Sequence, residues 1–178
     1  MTSILAIDGS PRGAGRTRLV LDAVLDGARS AGAATTVVEL SEGIDAAVRA
    51  AHEHDAFVLG APAYRAAPAA PMKEFLDRLP RGFWGEQTQP ITARAVGLVM
   101  TGATTHHYLA LDGLRSVLAG FFAAHVLSPG LYVAGDGFVD GAPTEQTSAE
   151  AQAQGRALVA LARAIDGSAE LQGIRPQA

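Results

Sequence analysis

The residues that could bind an anion lie in one glycine-rich segment near the start of the chain, residues 9–17 (GSPRGAGRT). The hydroxyls of Ser10 and Thr17 can donate hydrogen bonds, and the guanidinium groups of Arg12 and Arg16 can neutralise negative charge. A helix is predicted to begin at the end of this segment, and free N–H groups and the dipole at a helix start favour a phosphate. The segment therefore predicts an anion-binding loop.

The spacing within this segment argues against two familiar nucleotide-binding loops. A Walker A loop needs a lysine where Arg16 stands, and the interval from Gly9 to Gly15 is one residue too long. The dinucleotide fingerprint needs a third glycine after residues 13–15 (GAG), although Glu39 lies about where a ribose-binding acid belongs. The phosphate of a mononucleotide is therefore the favoured ligand, with dinucleotide binding and a turn without a ligand left open.

Two further loops carry groups that could border a flat heterocycle. Residues 61–68 (APAYRAAP) place one large aromatic side chain, Tyr64, among small residues, and residues 101–107 (TGATTHH) offer amide and hydroxyl donors. His106 and His107 invite a metal, but neighbouring helical residues point about 100° apart and no carboxylate has ligand spacing, so no metal site is predicted. The sequence has no nucleophile elbow, no pair of loop carboxylates and no cysteine, so it supplies binding groups but few reactive ones.

Alternating strands and helices must place these three loops together. Apolar runs predict strands over residues 4–8, 35–40, 56–60, 94–100 and 125–134. Periodic patterns predict helices over residues 17–31, 44–51, 71–79 and 106–123, and a last helix that begins with a capping box at Thr147 and ends before Gly167. The last strand is broken by Pro129 and therefore belongs at an edge. The order predicts an α/β three-layer sandwich of the flavodoxin-like class, with a five-stranded parallel sheet of order 2-1-3-4-5 and the loops at its carboxyl end.

Composition and charge indicate the broad class of protein. The chain has 178 residues, of which 48% are hydrophobic and 18% charged, which suits one domain, with only the tail after about residue 167 predicted to be loose. The net charge of −4 argues against a nucleic-acid partner, which would require a basic stripe. Because no apolar run could span a membrane and no signal segment is present, we expect no membrane association and a cytoplasmic location.

Taken together, the three loops resemble those of the NAD(P)H-dependent FMN reductases, and most closely the group that supplies reduced flavin to alkanesulfonate monooxygenases. The likeness rests on residues 9–12 (GSPR), 61–64 (APAY), 72–77 (MKEFLD) and 101–104 (TGAT), and extends over roughly residues 3–165. By this resemblance, the FMN phosphate would be held by Ser10, Arg12 and Thr17, with Arg16 nearby. The isoalloxazine would be bordered on one side by Pro62, Ala63, Tyr64 and Arg65, and on its other edge by Thr101, Gly102, Ala103 and Thr104.

The resemblance also implies the reaction and the partners. Hydride would pass from NADH or NADPH to FMN without a catalytic residue of the protein, because the flavin carries the chemistry. A homodimer or tetramer would form through the helices at 71–79 and 106–123, and a flavin-dependent monooxygenase would receive the reduced flavin. The apolar side chains all round residues 106–123 indicate such an interface independently. Gly15 and Ala103 stand where the family often has serine and glycine, so we expect weaker FMN binding.

Three alternatives stay open on the sequence alone. An enzyme that keeps its FMN and reduces quinones, azo dyes or metal oxyanions would use the same loops. A flavodoxin-like electron carrier would use them without oxidising a pyridine nucleotide, and a non-catalytic module would bind a nucleotide without turnover. The sequence does not distinguish NADH from NADPH as the donor.

Overall fold

The central sheet is built from strands that are apolar on both faces. In this computed structural model, which describes residues 1–177, β1 (Ser3–Asp8), β3 (Ala56–Tyr64) and β5 (Ala95–Thr101) lie almost wholly buried. Runs without polar alternation are typical of parallel strands that helices cover on both sides. The half-buried β2 (Ala34–Glu39) pairs with the outer side of β1. The short strands β6 (His125–Val126) and β7 (Leu131–Val133) both pair with the far side of β5.

The predicted strand order and the flavodoxin-like class are confirmed, but the sheet has seven strands instead of five. The predicted fifth strand lies at the edge and is split, because Pro129 has no N–H to donate and pairing with β5 resumes only at Leu131. The third parallel strand continues beyond residue 60 and turns back as β4 (Ala67–Pro68). Part of the predicted loop 61–68 is therefore a small hairpin.

Two layers of helices cover the sheet. One face packs against α1 (Arg16–Ser30) and α5 (Glu145–Asp166), and the other against α2 (Ile44–Ala51), α3 (Ala70–Arg78) and α4 (Ala110–Ser116). Helices α1 and α5 approach each other so closely that a Cβ at Gly155 of α5 would lie 1.9 Å from the carbonyl oxygen of Val24 in α1. Glycine is therefore required at this crossing.

Two predicted helices differ from the structure. Residues 106–123 are not one helix: a 3-10 turn (Thr105–His107) precedes α4, and a π-helix (Val117–Phe121) follows it. Glycines at 113 and 120 weaken the α-helix here, and the Phe122 N–H donates to the Val117 carbonyl at 3.1 Å. The last helix begins earlier than predicted, because the side chain of Thr144 instead of Thr147 caps it and accepts the Thr147 N–H.

The ends of the last helix complete the chain. A hairpin of β8 (Phe138–Val139) and β9 (Ala142–Pro143) leads into it. The tail after residue 167, expected to be loose, contains the short α6 (Ala169–Gln172), from which Leu171 packs against the core. No helix within residues 1–177 is long and apolar enough to cross a membrane.

Candidate functional site

The three predicted loops meet in one cleft at the carboxyl ends of β1, β3 and β5. The cleft has a volume of about 450 Å³ and is lined by residues 10–17, 62–64 and 101–103. A volume in this range suits a small-molecule cofactor. Of the predicted site residues, only Arg65 and Thr104 lie outside the lining. We call this cavity the carboxyl-end cleft.

The first turn of α1 opens onto this cleft and can receive an anion. Gly15 precedes the helix, and within residues 1–177 no side chain caps its start and no carboxylate lies in its first turn. The backbone N–H groups there remain available, and the helix dipole adds to their attraction for negative charge. Arg12 lies exposed at the rim, and the Arg16 guanidinium lies 4.9 Å from the centre of the Phe138 ring. This end of the cleft is therefore cationic.

Ser10 is held from behind by Asp8, the last residue of β1. The Asp8 Oδ1 accepts the Ser10 N–H at 2.9 Å and the Ser10 hydroxyl at 2.6 Å. The Asp8 side chain is fully buried, and its Oδ2 has no hydrogen-bond partner among residues 1–177. The Ser10 backbone is thereby fixed at the edge of the cleft, while its hydroxyl proton is directed to Asp8.

A second carboxylate supports the glycine-rich segment. Glu39, opposite Asp8 in the pairing of β1 with β2, forms an ion pair with Arg18 at 2.7 Å. A Cβ at Gly13, whose φ is +74°, would lie 2.8 Å from the Glu39 Oε2. Burial raises the pKa of Asp8 and the charge of Glu39 adds to this, against hydrogen bonds from Ser10 and the charge of Arg18. The Glu39 carboxylate therefore packs against Gly13 of the loop and is held there by its ion pair with Arg18.

A buried pair of hydroxyls joins the start of α1 to the end of β5. The Thr17 and Thr101 Oγ1 atoms lie 2.8 Å apart, so one donates to the other. Because only one proton is used in this bond, the pair keeps one free hydroxyl proton for a ligand. The contact brings together two of the predicted loops, as the parallel sheet requires.

The loop after β5 is fixed by the edge strand β7. The Tyr132 hydroxyl donates to the Thr104 carbonyl at 2.8 Å, and the Gly102 N–H donates to the Val133 carbonyl at 3.0 Å. A Cβ at Gly102 would lie 2.0 Å from the Tyr132 hydroxyl oxygen, so a larger residue there would displace this hydroxyl. Burial raises the pKa of Tyr132, which therefore remains a proton donor at neutral pH.

The wall of the cleft opposite this loop ends in a strained turn. Arg65 and Ala66 have φ values of 52° and 60° and connect β3 to β4. Positive φ at both central positions is the geometry of a type I′ hairpin turn, which usually carries glycine or asparagine. The turn holds Tyr64 at the rim with 56% of its surface exposed. Arg65 lies in the turn beyond the lining.

A family model for NADPH-dependent FMN reductases matches residues 2–138. The chain belongs to this family. Its fold is similar to that of an NADH:FMN oxidoreductase (EmoB, apo form), with 20% identity, a TM-score of 0.76, and coverage of 97% of this chain and 94% of that one. It is also similar to a WrbA-like flavodoxin from Agrobacterium tumefaciens (16% identity, TM-score 0.73, coverage 92% and 99%).

An archaeal flavodoxin is a third similar structure, with 15% identity, a TM-score of 0.69, and coverage of 91% of this chain and 99% of that one. A search of curated proteins gave no significant match. At these identities the likeness to solved structures establishes the flavodoxin-like fold alone.

The carboxyl-end cleft of this FMN reductase family member fits a flavin mononucleotide. The open start of α1 and Arg12 suit the phosphate, while the small side chains at 62–63 leave room for a ring. Across residues 1–177 no three His, Asp or Glu side chains gather as metal ligands would. The groups that do line the cleft, which are an open helix start, arginines and hydroxyls, suit an anion.

The sequence reasoning missed two residues that position the site. Asp8 carries a signal that could have been used, because an acidic residue that ends a buried apolar strand needs a partner in the following loop. Tyr132 gives a weaker signal, since an aromatic residue on a short edge strand is common and its partner, the Thr104 carbonyl, belongs to another element. Both act on loops that the sequence did identify.

Proposed function

We propose that this protein is an NAD(P)H:FMN oxidoreductase that transfers hydride from NADH or NADPH to FMN and releases the reduced flavin to a flavin-dependent monooxygenase. The observation that carries the proposal is the carboxyl-end cleft, where an uncapped helix start, Arg12 and a slot of small residues meet in a chain of the FMN reductase family. The family supports the flavin chemistry, and the cleft supports FMN as the ligand.

The chain's own residues bind and orient, and none of them needs to react. Arg12 and the N–H groups at the start of α1 hold the phosphate, Tyr64 covers one side of the ring, and residues 101–103 border the other. When bound, the flavin supplies the hydride-accepting chemistry, which explains why the cleft lacks a nucleophile or a paired acid and base. Positioning of the two reactants is then the main contribution of the protein.

Two features favour exchange of FMN over permanent retention. The Asp8 carboxylate accepts the hydroxyl proton of Ser10, so this side chain does not donate that proton to a phosphate. Arg12 and Tyr64 are both exposed at the rim of the cleft, which leaves the ligand an open path to solvent. A flavin held in this way can leave after reduction, as delivery to a monooxygenase requires.

The same proposal includes a homodimer or tetramer that forms through α3 and the segment of residues 105–121. On that segment Leu111, Leu114 and Leu118 are buried in the core, whereas Tyr108, Leu109 and Phe121 are between 48% and 60% exposed. Apolar side chains on the outer side of an element that already has a buried face are typical of a subunit interface. Light scattering of the purified protein tests this, and a monomer at micromolar concentration would refute it.

The decisive experiment separates the candidate activities in one preparation. The visible spectrum of the purified protein is recorded, and NADH and NADPH oxidation is followed anaerobically with and without added FMN. Oxidation that depends on added FMN, with reduced flavin recovered in an ultrafiltrate, supports the proposal. A protein that keeps FMN through gel filtration and reduces quinones is the FMN-retaining alternative. Flavin binding without pyridine-nucleotide oxidation indicates an electron carrier or a non-catalytic module.

A matched pair of variants ties the activity to the cleft. Arg12→Ala should raise the KM for FMN by about tenfold or more with a smaller change in kcat, because a charged hydrogen bond to the phosphate is lost. Arg156→Ala removes an exposed arginine from α5, away from the cleft, and should change neither constant. Equal FMN constants in the two variants would refute the phosphate assignment.

A further inference from the structure

The end of β1 places a buried carboxylate directly behind a hydroxyl of the carboxyl-end cleft. Asp8 is the last residue of β1, and none of its surface is exposed. Ser10 follows two residues later, in the glycine-rich segment that forms the phosphate loop, where it lines the cleft and is 7% exposed. A buried acid and a hydroxyl that faces the ligand site are therefore direct neighbours.

Ser10 supplies every hydrogen bond that Asp8 receives from the residues that the structure describes. The Asp8 Oδ1 accepts both the N–H and the hydroxyl of Ser10, and the Oδ2 accepts none. The guanidinium of Arg18 donates to two other carboxylates, those of Asp22 and Glu39, at 2.9 and 2.7 Å. Because a buried carboxylate without donors is costly, Asp8 competes strongly for the bonds from Ser10.

This competition decides what Ser10 offers to a ligand. A serine hydroxyl has one proton and two lone pairs, and here the proton is donated to Asp8 across an oxygen–oxygen distance of 2.6 Å. Only the lone pairs remain for the cleft, and they cannot serve the oxygens of a phosphate, which are themselves acceptors. The pair of Thr17 and Thr101, in contrast, keeps one proton free. Ser10 is therefore a hydroxyl of the cleft that is withheld from an anion.

We propose that Asp8 is a positioning residue that keeps FMN exchangeable, because it withholds the hydroxyl proton of Ser10 from the phosphate. This role rests on the proposed function, since it takes FMN as the ligand of the cleft. It does not require a charge on Asp8, because the Oδ1 accepts a hydrogen bond both in the carboxylate and in the protonated acid. Without Asp8, Ser10 turns its hydroxyl to the phosphate, and the flavin is held for longer.

A double-mutant cycle on Asp8 and Ser10 tests this role, with dissociation constants from flavin-fluorescence titration of the full-length protein. Asp8→Ala should tighten FMN by about tenfold or more, because a hydroxyl proton becomes available to a charged acceptor. Ser10→Ala should change the constant by less than about threefold in the wild type, but should weaken FMN by about tenfold in the Asp8→Ala background. A merely structural role of Asp8 would not make one substitution depend on the other in this direction.

Three controls separate the hydrogen bond from other effects of the substitution. Asp8→Asn keeps the accepting Oδ1 and should return the FMN constant to near the wild-type value. Asp26→Ala removes an exposed carboxylate of α1 that lies outside the cleft lining, and it should leave the constant unchanged. Riboflavin lacks the phosphate and should bind equally to the wild type and to Asp8→Ala. In stopped-flow measurements, Asp8→Ala should release FMN about tenfold more slowly.

The possible outcomes distinguish this role from the proposed function. If neither the wild type nor Asp8→Ala binds FMN at millimolar concentration, the proposed function and the role of Asp8 are both refuted. If the wild type binds FMN and Asp8→Ala binds it equally or more weakly, the role of Asp8 alone is overturned. An equal gain in Asp8→Asn, an equal gain for riboflavin, or additive effects of the Asp8 and Ser10 substitutions would also overturn it.

Discussion

The buried carboxylate of Asp8 gives the sharpest test of how the phosphate loop is built. Asp8→Asn keeps the shape of the side chain and its Oδ1, which accepts two hydrogen bonds from Ser10 at 2.9 and 2.6 Å. The substitution removes the negative charge and replaces the Oδ2, which has no partner among residues 1–177. The variant therefore separates two effects of Asp8 on stability: its hydrogen bonds with Ser10, which are kept, and the free-energy cost of its buried charge, which is removed.

The magnitude follows from these contacts. An unsatisfied buried polar atom costs about 1 to 3 kcal/mol, and the cost is higher for a charged group than for an amide. Against this, each bond from Ser10 loses the part of its strength that comes from the charged acceptor. Because the pKa of Asp8 is raised by burial, the uncharged form is the one that the fold prefers. We expect the Asp8→Asn variant to be more stable than the wild type by about 1 kcal/mol at neutral pH.

The sign of the pH dependence is fixed by the direction of this shift. The folded protein holds the Asp8 proton to higher pH than the unfolded chain, whose carboxyl has a pKa near 3.8. Stability is therefore lost as the pH rises from that value through the raised pKa of the folded state. The advantage of the variant should be full above this window and should vanish below it, where Asp8 is protonated in both states.

Urea unfolding followed by circular dichroism, from about pH 4 to pH 8, measures this difference. Asp136→Asn changes an exposed carboxylate and serves as the control, with a shift within about 0.5 kcal/mol at each pH. An Asp8→Asn variant that is less stable than the wild type at neutral pH, or a difference that does not change with pH, would refute the reasoning.

Four further predictions concern the loops and the helix crossing. Arg12→Ala should weaken FMN by about 1.5 to 3 kcal/mol in flavin-fluorescence titrations and leave riboflavin unchanged; equal losses for both would contradict a phosphate contact. Ala66→Gly should raise stability by about 1 kcal/mol in thermal unfolding, because it relieves a φ of 60°, whereas Ala67→Gly should not. Gly155→Ala should lower stability by about 2 kcal/mol or more, since the new methyl group would meet the backbone of α1, and an unchanged midpoint would refute the close crossing. Tyr132→Phe should cost about 1 kcal/mol of stability and also weaken FMN, because the loop at 101–104 loses its anchor; unchanged FMN binding would show that the anchor does not serve the site.

The sheet was predictable from sequence because its parallel strands are runs of apolar residues between turn signals. The order of the sheet followed from the alternation of strands and helices, and even the split edge strand was marked by Pro129. The segment at 105–121 was not predictable in detail. Its apolar spacing fits a helix, but two glycines leave the choice between α and π geometry to the packing of Leu118 and Phe122 against the core.

The site was predictable as far as it depends on where strands end. Loops that follow β1, β3 and β5 must meet at one edge, so the strand order predicts which loops line the cleft, while the individual residues were assigned by the family resemblance. The hydrogen bonds that hold those loops could not be predicted, because they join residues far apart in the sequence. The Thr17 hydroxyl pairs with that of Thr101, and the Tyr132 hydroxyl donates to the Thr104 carbonyl. The hairpin turn between β3 and β4 was not predicted either, since arginine and alanine, which occupy positions 65 and 66, seldom adopt positive φ.

The hydroxyls of the carboxyl-end cleft explain why so much of the binding should depend on Arg12 and the backbone. Besides the phenol of Tyr64 at the rim, three side chains there carry hydroxyls, but Ser10 donates its proton to Asp8, and the pair of Thr17 and Thr101 uses one of its two protons internally. Among these three, one hydroxyl proton remains for a phosphate that can accept several hydrogen bonds. The N–H groups at the start of α1 and the Arg12 guanidinium must therefore supply the rest. A site built in this way would recognise the charge of FMN at one rim residue and hold it with few side-chain bonds, which is consistent with the proposed release of reduced flavin.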